Sequence, residues 1–501
     1  GDADYLYNYL DEINDPENIN KVKDNISKFL RPSVMHRGIV LPIEQEEKEN
    51  LLKIQETSDE EDTEFLTGKA REIEVEQGVQ VLSIKTNSIK PFNFPAGKAV
   101  VLKNGLKLLY HDNNALSKID IILDFKTKTY YDPQDKQGIL NLVSDLLLEG
   151  TDRYSASDLA TELESNGINL QTAPGLIQIS LLSKDLEKGL DILADILINS
   201  KFSKKSIEKI KSQTISDIKN FWDNPNDFIG QILKEKIYKN HPFSKNSLGS
   251  EEFIKEVTQE DLISYYKKAI SPIGARMSIV GDISNYDIEK IVESSLSGWI
   301  GKEIIEPEFP EIESIKSAEF NHYINRDQTV LVYGGISVKR LDPDFDKLFL
   351  FDQIFTGGIL GSMSSKLFEL RERSGLFYTI GGSLIARSDK QPGMVFIKTI
   401  VSNDRLKEAE NAIAYTINNA CEIISLEEFE DAKNAVINSL SDNFSSNNKT
   451  ALTLLFLDNY NFSSEYFINR PEQIKSITIE QVKEAVSKYL NTTKMVKVRA
   501  G

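Results

Sequence analysis

The spacing of apolar and polar residues changes period repeatedly along this chain. Residues 99–111, AVVLKNGLKLLYH, alternate about Asn104-Gly105 and predict two antiparallel strands joined by a tight hairpin. Residues 118–125 and 176–183 read as further strands, and helical spacing follows at 155–165, at 186–199 and along 204–238. The order then recurs, with a strand at 330–337, a helix at 344–355, strands at 377–387 and 394–402, and helices from 405 onward. Strands and helices mix without strict βαβ alternation, which predicts an α+β fold with helices on one face of each sheet.

Three segments share one signature. Residues 22–31 (VKDNISKFLR), 262–271 (LISYYKKAIS) and 482–491 (VKEAVSKYLN) are amphipathic helices opened by Pro-Glu, Thr-Gln-Glu or Thr-Ile-Glu. Each leads into a short apolar segment: 38–42 (GIVLP), 276–280 (RMSIV) and 495–498 (MVKV). Helix then strand, repeated at intervals of 240 and 220 residues, marks a tandem module. The third copy ends the chain, so the unit closes a module, and the first copy reads as the tail of a module lying upstream. The predicted organisation is therefore a module tail at 1–43, an inter-half linker at 44–95, a first module at 96–305 and a second at 306–501. Within the linker, residues 44–65 hold 10 acids and 2 bases, a net of −8, which reads as a solvated helix face or tether.

Composition narrows the function classes. A net charge of −18 argues against a nucleic-acid surface. No apolar run approaches the roughly 18 residues of a membrane span, so no membrane partner is expected. One cysteine, Cys421, excludes an internal disulfide or a cysteine-based zinc cluster. It leaves periplasm and cytoplasm both open.

The stretch at 131–151, YDPQDKQGILNLVSDLLLEGT, carries the most chemical information. Positions 141 and 145 lie one helical turn apart on one face, the geometry of a two-residue metal clamp. They are Asn141 and Asp145, with Ser144 between them. Zinc favours imidazole or thiolate and needs a base beside its water, and this set offers neither. On its own the stretch reads as an amphipathic core helix, with Ile139, Leu140, Val143, Leu146 and Leu147 inward. His36, His111, His241 and His322 are isolated from one another, so no zinc site is expected.

The frame of that stretch (Tyr131-Asp132-Pro133, Gly138 and Leu148-Glu149-Gly150-Thr151) resembles the active-site helix of the pitrilysin and insulin-degrading-enzyme family, the inverzincins, with the H-x-x-E-H signature replaced. The resemblance implies mitochondrial-processing-peptidase-like α/β layers, of which two tandem modules form one half of a four-module clamshell. It also implies a third ligand position on the long helix, falling here at Asp217 or Ser216, before a D-x-P element at Asp223-Asn224-Pro225. Asn141, Ser144, Asp145 and Asp217 are thus degenerate metal positions. Zinc would belong to the complementary half, whether in the same polypeptide or a separate subunit.

Residues 357–382, GGILGSMSSKLFELRERSGLFYTIGG, read unaided as a charged helix end running into an aromatic strand. They resemble the second half of family proteases, where an arginine and, seven residues on, a tyrosine reach the substrate. Arg371 and Tyr378 have that spacing, which implies oxyanion-stabilising hydrogen bonds to a scissile peptide. Gly357, Gly358 and Gly361 match neither G-x-G-x-x-G nor the Walker pattern, and read as a tight loop that lets a peptide backbone approach. Two functions stay open: the zinc-free half of an endopeptidase acting on peptides or unfolded polypeptides, inactive alone, or a non-catalytic peptide-binding or assembly subunit of the same family.

Overall fold

The computed structural model describes residues 18–31, 35 and 94–501. The chain divides into one unit at Gly1–Asn87 and another at Ser88–Gly501. In the first, the described element is α1 (Asn18–Phe29), whose Ile19, Val22, Ile26 and Phe29 form one exposed stripe. The predicted strand at 38–42 and the acidic run at 44–65 lie outside the described residues.

The second unit holds two sheets of matching design. The first contains β1 (Lys98–Val101), β2 (Lys107–Asp112), β3 (Lys118–Asp124), β4 (Asn169–Ala173), β5 (Leu176–Leu182) and β6 (Arg276–Gly281), in the order β1-β2-β6-β3-β5-β4. The second contains β7 (Ala318–His322), β8 (Gln328–Ile336), β9 (Thr379–Ala386), β10 (Met394–Ser402) and β11 (Val496–Ala500), in the order β7-β11-β8-β10-β9. Without β1, the two orders are the same. So are the senses: β2 runs parallel to β6 as β7 does to β11, and every other pairing is antiparallel. In each sheet the parallel central strand follows a helix with a capping box, Thr258 with Asp261 or Thr478 with Gln481. Asn104-Gly105 makes the expected hairpin, with Gly105 at φ 89° where a side chain would be strained.

The first module's helices are α2 (Ile139–Leu146), α3 (Ala156–Ser165), α4 (Leu186–Asn199), α5 (Lys204–Asp223), α6 (Pro225–Tyr238), α7 (Glu251–Glu256), α8 (Gln259–Ala269) and α9 (Ile288–Ser295). The second module's are α10 (Phe345–Phe355), α11 (Lys366–Ser374), α12 (Leu406–Asn418), α13 (Leu426–Ser439), α14 (Asn447–Asn459), α15 (Tyr466–Lys475) and α16 (Ile479–Tyr489). One face of each sheet packs on its own module's helices, through Leu108, Ile121 and Ile179 in the first and Leu331, Ile397 and Val395 in the second.

The expectation of helices on one face alone is corrected here. The other face of the first sheet (Leu109, Ile122, Val280) is covered by Ala451, Leu454 and Leu455 of α14, from the second module. The other face of the second sheet (Val330, Val332, Val498) is covered by Phe228, Ile229 and Leu233 of α6, from the first. Each module therefore completes its neighbour's sandwich. Polar contacts fix both exchanged helices at their ends. Asn447 donates to the Lys118 carbonyl at 3.1 Å and Arg276 donates to Asn459 at 2.9 Å. Lys398 donates to the Asn226 carbonyl at 2.5 Å and the Tyr238 hydroxyl donates to the Pro392 carbonyl at 3.1 Å.

A second correction concerns the single helix expected along 204–238. It divides at Asn224, which is extended (φ −106°, ψ 106°) and caps α6 by accepting from the Asn226 N–H. Pro225 forces the break, because it restricts the preceding residue and has no N–H to continue the ladder. The break lets α5 stay with its own module while α6 crosses to the other sheet. Strands β4 and β7 carry no sequence expectation, since both are short, largely exposed and weakly apolar.

Candidate functional site

Helix α2 is held at its start by a specific set of contacts. Gly138 has φ 91°, and a Cβ there would sit 2.7 Å from the Leu248 carbonyl oxygen and 2.9 Å from Gly249, so only glycine fits. Its N–H donates to Asp132 Oδ2 at 2.9 Å, while Asp132 Oδ1 accepts from the Tyr265 hydroxyl of α8 at 2.6 Å. Burial pushes the Asp132 carboxyl up to about 6, against the lowering effect of these donors. The frame residues thus anchor the helix to the module's closing unit.

Ile139, Leu140, Val143, Leu146 and Leu147 point inward, and Leu142 joins them. Ser144 is also buried and donates its hydroxyl to the Leu140 carbonyl at 2.8 Å, so it is committed to the helix backbone. Asp145 is exposed, as is Asp217 on α5. The Asp145 carboxyl is pushed up to about 6, first by desolvation and then by the charges of Asp217 and Glu149. Asp145, Asp217 and Glu149 thus share one acidic locality. Ser216, the alternative position, donates to the Ser212 carbonyl at 3.1 Å.

These residues do not fit zinc. They offer an amide, a hydroxyl already given to the backbone and two carboxylates, without imidazole or thiolate. Among the described residues no group of three His, Cys, Asp or Glu side chains is placed to hold a metal ion. His241 and His322 belong to aromatic clusters, with ring contacts to Phe243 and Phe228 at 4.9 Å each. Cys421 is a half-buried free thiol whose pKa burial raises.

In the second module Arg371 lies near the end of α11, and its Nε donates to the Tyr378 carbonyl at 3.1 Å. The Arg371 side chain also meets Glu372 at 3.0 Å. Tyr378 is 72% exposed, and its hydroxyl makes no hydrogen bond among the described residues. Gly357, Gly358 and Gly361 take φ of 98°, 53° and 61°. A Cβ on Gly358 would lie 2.5 Å from Gln353 Oε1, whereas Gly361 faces open space. This loop carries Ile359 and Met363 at 68% and 73% exposure. The fold brings Arg371 and Tyr378 together, but no hydrogen bond or ion pair joins them to Asn141, Ser144, Asp145 or Asp217 among the described residues.

Residues 108–251 match the family model described as insulinase (peptidase family M16), and residues 256–436 match that of the peptidase M16 inactive domain. The chain belongs to the M16 (insulinase) peptidase family. It is 28% identical to an uncharacterized zinc protease of Rickettsia felis over 349 residues, 68% of this chain and 82% of that one. It is 24% identical to the beta subunit of the bovine mitochondrial-processing peptidase, covering 56% of this chain and 59% of the subunit. Its fold matches an M16 inactive-domain structure from Pseudomonas fluorescens with a TM-score of 0.72 at 24% identity, covering 81% of this chain and 98% of that one. It also matches the periplasmic protease PqqL of Escherichia coli with a TM-score of 0.63 at 17% identity, covering 81% of this chain but 47% of PqqL. The M16 assignment and mixed α/β fold thus agree with the sequence, while several relatives carry the name zinc protease and the described residues hold no fitting ligand set. No helix among the described residues is long and apolar enough to cross a membrane.

Proposed function

We propose that this chain is the zinc-free half of an M16 endopeptidase and is inactive alone. It closes over peptides or unfolded polypeptides and lends Arg371 and Tyr378 to an active site whose zinc lies in a complementary half. The observation that carries this reading is the contrast between the two modules. The first module carries Asn141, Ser144, Asp145 and Asp217 where this reading puts the family's metal positions, while Arg371 holds the Tyr378 backbone and Tyr378 is exposed, its hydroxyl without a partner among the described residues. An exposed phenol on a residue whose backbone a guanidinium holds is suited to bonding the oxygen of a peptide carbonyl as it gains charge.

The test is cleavage of a fluorogenic peptide by this chain combined with a zinc-bearing M16 half. Tyr378→Phe should lower kcat by roughly a hundredfold or more while KM changes little, because an oxyanion donor acts mainly in the transition state. Arg371→Ala should affect both. A near-normal kcat in Tyr378→Phe would favour the second reading, a non-catalytic peptide-binding or assembly subunit. The exposed Ile359 and Met363 beside the glycine loop support that alternative, since such a patch suits a protein contact.

A further inference from the structure

A cavity of ≈ 760 Å³ opens beside the degenerate helix, with Asn141 on its wall. It is built from both modules, since the first module's Lys234 and Phe243 meet the second module's Arg387 and Ser388 there. Its lining is cationic in a chain whose net charge is −18: Lys128, Lys234, Lys245 and Arg387 face one carboxylate, Asp389. The cations differ in how far they are already satisfied. Lys128 is paired with Asp124, and Lys245 donates to the Asp132 carbonyl. Lys234 is only 9% exposed, and its one hydrogen bond, 3.3 Å long, runs to the Lys245 carbonyl. Arg387 has neither hydrogen bond nor ion pair among the described residues.

Two features mark this as a built site. Arg387 sits at φ 58°, a left-handed conformation strained for a residue with a side chain, in the β9–β10 turn where glycine would be unstrained. Ser388, next to it, has a buried hydroxyl with no hydrogen-bond partner among the described residues. A buried ammonium without an ion-pair partner is unfavourable, and Lys234 has none among the described residues; burial and the nearby Arg387 lower its pKa to about 8 against the opposing charge of Glu235, which leaves it mainly protonated at neutral pH. Asp389 is engaged by the Tyr460 hydroxyl at 2.5 Å. Tyr130 and Phe243, with ring centroids 5.0 Å apart, supply an apolar wall.

We propose that this pocket binds a carboxylate of a peptide, with Lys234 and Arg387 as its counter-charges, Ser388 as a hydroxyl donor and Tyr130 and Phe243 against the adjoining side chain. The proposal rests on the peptide-binding reading above and names what that reading leaves open, the chemistry recognised where the zinc ligands have gone. The carboxylate can come from a peptide C-terminus or from an acidic side chain.

The test is fluorescence polarisation with the whole chain and fluorescein-Ala-Leu-Ala-Phe-Leu, as free acid and as C-terminal amide. A second pair of amidated peptides carries Glu or Gln before the last residue. The acid form of at least one pair should bind about tenfold more tightly than its neutral partner, the worth of a charge-assisted hydrogen bond. Discrimination in the first pair assigns the C-terminus, and in the second an acidic side chain. Lys234→Met and Arg387→Gly should each bring the acid form to within about twofold of the neutral one. Arg387→Gly relieves backbone strain, so its loss of discrimination cannot be ascribed to misfolding. Equal binding of acid and neutral peptides by the unaltered chain overturns the pocket and leaves the peptide-binding reading standing. No binding of any peptide overturns both.

Discussion

Phe228 tests the exchange of helices between modules, because it belongs to the first module by sequence and to the second module's sheet by packing. Its ring is fully buried, stacks on Trp222 with centroids 5.7 Å apart, and lies 4.9 Å from the His322 ring of β7. Removing a buried phenylalanine ring costs about 3–5 kcal/mol in transfer energy and cavity formation. At about 2.1 cal/mol/K per residue, the 414 residues of Ser88–Gly501 have an unfolding entropy near 0.9 kcal/mol/K. Phe228→Ala should therefore lower Tm by about 3–6 °C. Differential scanning calorimetry is the assay, with Leu454→Ala, the reciprocal truncation on α14, expected to cost about 2–5 kcal/mol. Since each helix completes the other module's sandwich, both variants should keep a single transition that moves as a whole. Two resolved transitions, with only one displaced by Phe228→Ala, would refute the mutual completion of the modules. A shift below about 1 °C would refute the estimate of the packing itself.

Other outcomes follow from the site. After dialysis, elemental analysis of the purified chain should find far less than one zinc per molecule at neutral pH. Gly138→Ala should destabilise by more than the roughly 1–3 kcal/mol of a strained φ, because the new Cβ also meets backbone at 2.7 and 2.9 Å; urea unfolding would measure it. Asp132 titrates at about 6 when folded against 3.8 when unfolded, so between those values the native state holds more protons. Its contribution to stability should fall as pH rises from about 4 to 6 and stay level above, a change of about 3 kcal/mol. Unfolding free energies of the parent and Asp132→Asn should accordingly diverge across that window, and a parent gaining on the variant as pH rises would contradict the sign.

The sequence by itself determined what local patterns encode. Asn104-Gly105 specified a hairpin because few other dipeptides accept positive φ, and the capped helices before β6 and β11 exposed the tandem fold. The absence of imidazole and thiolate at positions 141 and 145 was equally plain, since metal chemistry depends on residue type. Only the tertiary structure decided what depends on distant segments meeting. Which sheet α6 and α14 cover is not legible in their own residues, because an apolar stripe fixes which side of a helix is buried and not the segment that buries it. Pro225 signalled a break without saying that α6 would cross to the other module. The cationic pocket had no linear signal at all. Lys234 is one lysine among many in a helix, and Arg387 one residue of an exposed turn; their charges become a site only because folding brings a helix and a turn from different modules around a space that neither fills.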